Sequence, residues 1–215
     1  MILHDYFRSS AAYRVRIALN LKGLAPERRF VHLLQGEQRN AGYRAVNPQG
    51  LVPALEDGGR VFTQSLAIIE YLDETHPEPA LLPNAPADRA WVRAFAQAAA
   101  CDIHPLNNLR VLNYLRDTLG HDEPTRNAWY AHWIREGFLA MEAMLAARQL
   151  PSAFCFGDAP TLADVCLIPQ VANAQRFKCP MDDYPLIRAI HERAMALPAF
   201  DLAQPSKQPD FPKEK

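Results

Sequence analysis

The chain of 215 residues lacks a charge imbalance: 23 Lys and Arg stand against 24 Asp and Glu, a formal net charge of -1. That excludes the broad basic field of a nucleic-acid binder and the polybasic anchor of a membrane-surface protein, and it points to a small-molecule partner. No apolar run approaches the ~20 residues that cross a bilayer, so no membrane partner is expected. Met1-Ile2-Leu3-His4-Asp5 has neither the basic residues nor the apolar stretch of a secretory leader, and a cytoplasmic protein is expected. Cysteine is sparse: Cys101, Cys155, Cys166 and Cys179 are far apart with no Cys-x-x-Cys. This argues against a zinc site or a disulfide framework and for reduced, mostly buried thiols. His132 and Glu136, four residues apart, have no third ligand at helical spacing, so they read as a solvated pair and no metal is expected. The chain carries no internal repeat and no low-complexity tract.

What is present is most telling at residues 8 to 23, where two adjacent hydroxyls, Ser9 and Ser10, stand between a short strand and an amphipathic helix. A helix start collects unpaired amide donors and partial positive charge, so it can hold an anion, including a thiolate. The plainer reading is an N-cap ahead of a buried stripe of Val15, Ala18, Leu19 and the Lys22 stem. Arg8, Arg14 and Arg16 favour the anion site, because acidic residues are the usual complement of a helix start. Of these, Arg14 and Arg16 lie farther along the helix and read as structural or dimer-contact residues.

The pattern predicts a strand over 2–7, a helix over 10–23 ended by Gly23, a strand over 28–33, a hairpin over 51–62 and a helix over 65–75, in the order β-α-β then β-β-α. Pro53 stands at the start of a strand, where a trans proline weakens pairing; a cis Val52-Pro53 bond would offer the Val52 backbone to an extended peptide. The residues alone leave the two open. His76 to Asp88 concentrates prolines and reads as an interdomain linker. Beyond it, helices are predicted over 88–116, 125–147, 161–176 and 184–197, with breaks at Gly120, Pro151 and Pro180. Thr161 and Asp164 form a capping box for a buried helix, with no chemistry assigned. Trp91, Trp129 and Trp133 read as packing anchors, and the tail from Gln204 to Lys215 as loosely ordered.

With these residues in place, the chain resembles the zeta class of glutathione transferases, whose best-known activity is maleylacetoacetate isomerase. The resemblance is carried by Arg8-Ser9-Ser10 with Arg14-Val15-Arg16-Ile17-Ala18-Leu19, by Asn47-Pro48-Gln49-Gly50-Leu51-Val52-Pro53, and by Gln64-Ser65 with the helix that follows. It continues through Asp102-Ile103-His104-Pro105-Leu106-Asn107-Asn108, Gly157-Asp158 and Pro169 to Phe177, so it spans essentially the whole chain. It implies a glutathione transferase fold, α/β plus all-α: a thioredoxin-like glutathione-binding domain over 1–80 and an all-helical substrate-binding domain over 88–215. It also implies a homodimer and a cis Pro53. Many family members carry a cysteine directly after the two serines, where this chain has Ala11, so the nucleophile must be the sulfur of glutathione.

The implied reaction turns a maleyl diacid into its fumaryl isomer. Addition of a thiolate makes the double bond single, rotation follows, and elimination returns the thiol, so glutathione acts as a cofactor. A free thiol of pKa about 8.5 is only a few per cent ionised at neutral pH. A hydrogen bond from Ser9, with Ser10 and the amides of the helix start beside it, would lower that value; two units require about 2.7 kcal/mol and leave roughly three-quarters as thiolate at pH 7. Arg8 and Arg176 are first choices for the substrate carboxylates and the developing negative charge, and Arg110 is a further candidate. By resemblance, Val52 and Pro53 meet the cysteinyl part of glutathione, Gln64 and Ser65 hold its γ-glutamyl end, and Gln38, His104 and Asn108 reach its remaining polar groups. His104, between Ile103 and Pro105, reads equally as satisfying a helix kink. The competing functions are a maleylpyruvate isomerase, a conjugating transferase and a non-catalytic module of the same fold.

Overall fold

A computed structural model of the chain describes residues 1–148 and 152–212, and Pro151, expected as a helix break, lies outside them. Two compact units form: Met1–Ala80 together with Ala196–Lys215, and Leu81–Met195. The boundary after Ala80 falls inside the expected linker. The expected span of the helical domain, 88–215, is corrected at its end, because the described residues from Ala196 to Pro212 belong with the first unit.

In the first unit, β1 (Ile2–Asp5) is followed by α1 (Ser10–Leu21) and β2 (Glu27–Phe30). Two tight turns, Leu33–Gln35 and Glu37–Arg39, then precede α2 (Ala41–Val46). The hairpin of β3 (Ala54–Asp57) and β4 (Arg60–Thr63) leads into α3 (Ser65–Thr75). The sheet order is β2-β1-β3-β4, with β1 parallel to β2 and antiparallel to β3, so His4 stands between Arg29 and Ala54. Gly58 and Gly59, at φ of 53° and 75°, make the two-residue hairpin turn that side chains with a Cβ adopt poorly. The β-α-β then β-β-α order is as expected, with α2 added. Its six residues carry too little periodicity to stand out.

β1 stops at Asp5 rather than at Phe7. The Asp5 carboxylate accepts the Tyr6 N–H at 2.7 Å, and Arg16 donates to the carbonyls of Tyr6 and Phe7 at 3.4 and 3.0 Å. Backbone groups that would have continued the ladder are taken by side chains, so the chain leaves the sheet. Arg14 and Arg16 are 1 % and 2 % exposed, which makes both interior residues of this unit.

In the helical unit, α4 (Pro86–Gln97), α5 (Leu109–Asp117), α6 (Glu123–Ala147), α7 (Leu162–Arg176) and α8 (Pro185–Met195) follow in order. The single helix expected over 88–116 is broken: after α4 the chain widens into a π-helical turn, Ala98–Ile103, and resumes only at Asn108, the N-cap of α5. Pro105 has no N–H to give and crowds the turn before it, and the π turn accommodates it. Ile103 fills the space that Gly137 leaves on α6. A Cβ at Gly137 would stand 2.2 Å from the Ile103 Cδ1.

The capping box is present at α7. Asp164 is fully buried; its Oδ2 accepts from the Thr161 N–H and hydroxyl at 2.8 and 3.0 Å, and its Oδ1 accepts from the Cys155 N–H at 2.8 Å. Burial pushes the carboxyl above its usual range, and the hydrogen bonds from Cys155 and Thr161 oppose that. Cys155, Cys166 and Cys179 are buried and Cys101 exposed, all as free thiols. Trp91 stacks on Phe95, and Trp129 and Trp133 meet edge to face. Among the described residues no helix is long and apolar enough to cross a membrane.

Over its described residues, to Pro212, the tail is not loose. α9 (Pro198–Asp201) leads to Ala203, whose carbonyl accepts from Arg16 Nε at 2.9 Å. Gln208 is buried, donating through Nε2 to the carbonyls of Leu202 and Gln204 at 2.9 and 2.7 Å and accepting from Arg28 at 3.0 Å. Long-range partners outside the window of a sequence pattern hold it.

Two substitutions check these arguments. Gly to Ala inside a helix is ordinarily worth up to ~1 kcal/mol of stability. At Gly137 the sign should reverse, with G137A less stable by about 1–3 kcal/mol in a denaturant titration, because Ile103 must move. Asp164→Ala strands three buried donors and should cost about 2–4 kcal/mol by the same measurement.

Candidate active site

Where β1 ends, Tyr6 and Phe7 join Val31, Tyr43 and Val52 in one apolar cluster. The chain then turns, Ser9 N–H to Tyr6 carbonyl at 2.9 Å, and α1 begins. Ser9 is its N-cap, half-buried, with Oγ accepting from the Ala12 N–H at 3.2 Å. A hydroxyl that accepts inward keeps its proton to donate elsewhere. Ser10 is the first helical residue and is buried, so Ser9 carries the hydroxyl at the helix mouth. Arg8, immediately before it, is half-buried.

The strand start at Val52 is fixed from behind. Tyr43 Oη and Asn47 Nδ2 both donate to the Leu51 carbonyl, at 2.6 and 2.7 Å, and the Val52-Pro53 bond is cis. Burial raises the Tyr43 hydroxyl's pKa, so it stays a donor. The Val52 N–H and C=O make no hydrogen bond among the described residues. Gln38 lies against this turn: its Nε2 donates to the Leu33 carbonyl at 3.3 Å, its own carbonyl lies 2.8 Å from where a Cβ on Gly50 would stand, and its Oε1 is buried without a partner among the described residues.

A second helix start lies in the same unit. Gln64, exposed, holds a positive φ of 68°, a conformation costly for a residue with a Cβ, and its Nε2 donates to Gln49 Oε1 at 2.9 Å. Ser65, buried at the first position of α3, accepts from Arg14 Nη1 at 3.3 Å. The Arg14 charge therefore adds to the positive end of α3, and the Ser65 proton is left to donate. That contact, and the Gln49 to Gln64 bond, are features of the candidate site that residue patterns do not show. Their only signal was the quoted Asn47-Pro48-Gln49-Gly50 block and the basic residues of α1. Two amide-rich helix starts, a strand-like main chain at Val52 and an orphaned acceptor at Gln38 fit an extended peptide bearing carboxylates, as glutathione is.

The remaining candidates lie in the helical unit. His104 closes the π turn, its N–H donating to the Ala99 carbonyl at 3.1 Å, and Asn108 accepts the Arg110 N–H at 3.0 Å as the cap of α5. Arg110 is exposed. The segment between them is pinned by Asn107 to the Tyr130 carbonyl at 3.2 Å and by Trp129 Nε1 to the Leu106 carbonyl at 2.9 Å. Arg176 is exposed at the last position of α7, its guanidinium 4.8 Å from the Phe177 ring centre. Phe177 stacks on Tyr130 at 3.6 Å between ring centres. Burial pushes the Tyr130 hydroxyl up to about 12, and Arg176 opposes it.

Comparison with known proteins matches residues 3–80 to the family described as "Glutathione S-transferase, N-terminal domain" and residues 127–193 to "Glutathione S-transferase, C-terminal domain". A Vibrio cholerae protein named "Probable maleylacetoacetate isomerase" is 51% identical over 212 residues, 98% of each chain. A solved maleyl pyruvate isomerase, described as a bacterial glutathione-S-transferase in Zeta class, is 50% identical with a TM-score of 0.97, covering 99% of this chain and 100% of that one. A maleylacetoacetate isomerase from Methylobacterium extorquens AM1, solved with bound malonate and glutathione, is 40% identical with a TM-score of 0.96 over 99% of this chain and 100% of that one. With the thioredoxin-like sheet, the helical unit and these relatives agreeing, the chain belongs to the glutathione S-transferase family, in its zeta class.

Proposed function

We propose that the chain is a glutathione-dependent cis-trans isomerase that converts 4-maleylacetoacetate to 4-fumarylacetoacetate. The carrying observation is the Ser9 hydroxyl at the mouth of α1, accepting from Ala12 and so left to donate. Bound glutathione supplies a thiol that adds to the cis double bond, lets it turn as a single bond and leaves again. Ser9, with the amides of the first turn and not the buried Ser10 hydroxyl, stabilises that sulfur as the thiolate. Val52 and Pro53 present a main-chain edge to the cysteinyl part, Gln64 and Ser65 take the γ-glutamyl carboxylate, and Gln38 serves its other polar groups. Arg8 and Arg176, with Arg110 ranked after them, are the candidates to hold the carboxylates of the diacid and offset charge that develops on its carbonyl oxygen. Malonate bound with glutathione in the Methylobacterium relative supports a dicarboxylate substrate.

The first unit, by this reading, binds glutathione, and the helical unit binds the diacid. A homodimer in the cytoplasm, acting in tyrosine and phenylalanine breakdown, is part of the same proposal. The free thiols suit a reducing compartment. A maleylpyruvate isomerase is the second reading, favoured by the 50% identity to the solved enzyme of that name.

Turnover of maleylacetoacetate and maleylpyruvate, each with and without glutathione, tests the proposal. Glutathione-dependent fumaryl product is expected, with the higher kcat/KM on maleylacetoacetate; a preference for maleylpyruvate selects the second reading, and a lasting thioether or no turnover rejects both. Ser9→Ala should lower kcat by about ten- to a hundredfold, the worth of one hydrogen bond to a charged group, with a smaller change in glutathione binding. Unchanged turnover would remove Ser9 from the mechanism.

A further inference from the structure

The Phe7 peptide, one residue before Arg8 and two before Ser9, is held from both sides. Arg16 Nη2 donates to its carbonyl at 3.0 Å, and its N–H donates to Asp210 Oδ2 at 2.8 Å across 203 residues of sequence. Phe211 meets the Phe7 ring edge to face at 5.4 Å. The tail itself is anchored. Gln208 is buried and bonded to Leu202, Gln204 and Arg28, the Phe211 N–H donates to the Gln208 carbonyl at 3.0 Å, and Arg28 in turn pairs with Asp5 at the end of β1. The other Asp210 oxygen is sealed from solvent without a partner among the described residues, so the bond to Phe7 is the carboxylate's whole polar engagement there. A surface tail has no packing reason to bury half a carboxylate against a loop amide. The geometry points to a latch: we propose that Asp210 is a positioning residue, which through the Phe7 amide fixes the loop presenting Ser9 and the first amides of α1 to the thiol. This rests on the reading that the mouth of α1 is where the thiol is activated.

The latch makes a distinction that general stability does not. Asp210→Asn keeps a carbonyl oxygen for the Phe7 N–H, whereas Asp210→Ala removes it, and Phe211→Ala loosens the same segment without touching the bond. The experiment titrates the thiol of glutathione bound to the wild type, D210A, D210N, F211A and S9A by the ultraviolet absorbance of the thiolate, with kcat, glutathione KM and melting temperature measured on the same samples. In D210A the titration midpoint should rise by about one pH unit, and kcat should fall on the order of tenfold while glutathione KM changes little. D210N should titrate like the wild type, and F211A should fall between. A titration unmoved in D210A, even with a lower melting temperature, would overturn the latch, as would equal impairment in D210A and D210N. A shift in D210A with none in S9A would uphold the latch and assign thiol activation to the loop amides instead of the Ser9 hydroxyl, so the two readings fail separately.

Discussion

The geometry of the first unit depends on the guanidinium of Arg16. It pairs with the fully buried Asp5 at 2.9 Å and spends its other donors on the carbonyls of Tyr6, Phe7 and Ala203. Asp5 is itself completed by the Tyr6 N–H and by Arg28. Burial pulls the Arg16 pKa down and Asp5 pulls it back. An ion pair out of water is tolerable only when both partners have such a complete set of hydrogen bonds, and removing either would strand a charge. The directional fork does what an apolar residue of equal volume could not. It ends β1, turns the chain and ties the turn to the tail, so that α1 opens at Ser9.

Two helix starts in this unit share one arrangement. Ser9 accepts from Ala12, and Ser65 accepts from Arg14. In both, the protein fills the acceptor side of a hydroxyl and leaves its proton to donate, next to the positive end of a helix. This explains why basic residues crowd a helix start that ordinarily attracts acidic ones. Arg14 adds its charge to the start of the neighbouring helix, and Arg16 builds the turn.

In the helical unit, legibility follows how local the cause is. The capping box at Thr161 and Asp164 was readable because its donors and acceptors lie within four residues. The break between α4 and α5 has a local part in Pro105, but the packing that seats it, Ile103 in the space that Gly137 leaves on another helix, has no local mark. Arg176 was readable as a residue of a family pattern. That it stands at the exposed end of α7, over a ring stacked on the buried Tyr130, is a consequence of packing.

By itself the sequence determined the order of strands and helices, the Ser9 cap, the proline-rich boundary before the helical half and the resemblance to the zeta class. Each of these rests on spacing, turn residues or a contiguous motif. Tertiary structure alone decided that β1 ends at Asp5, that Arg14 serves Ser65, and that the segment from Ala203 to Phe211 is bonded into the first unit, its Asp210 to Phe7. The physical reason is that, the contact between Asp5 and Tyr6 apart, these bonds join residues separated by 9 to 203 positions. A donor or acceptor commits to such a partner only when folding brings the two together, and nothing in the local composition of either segment marks it.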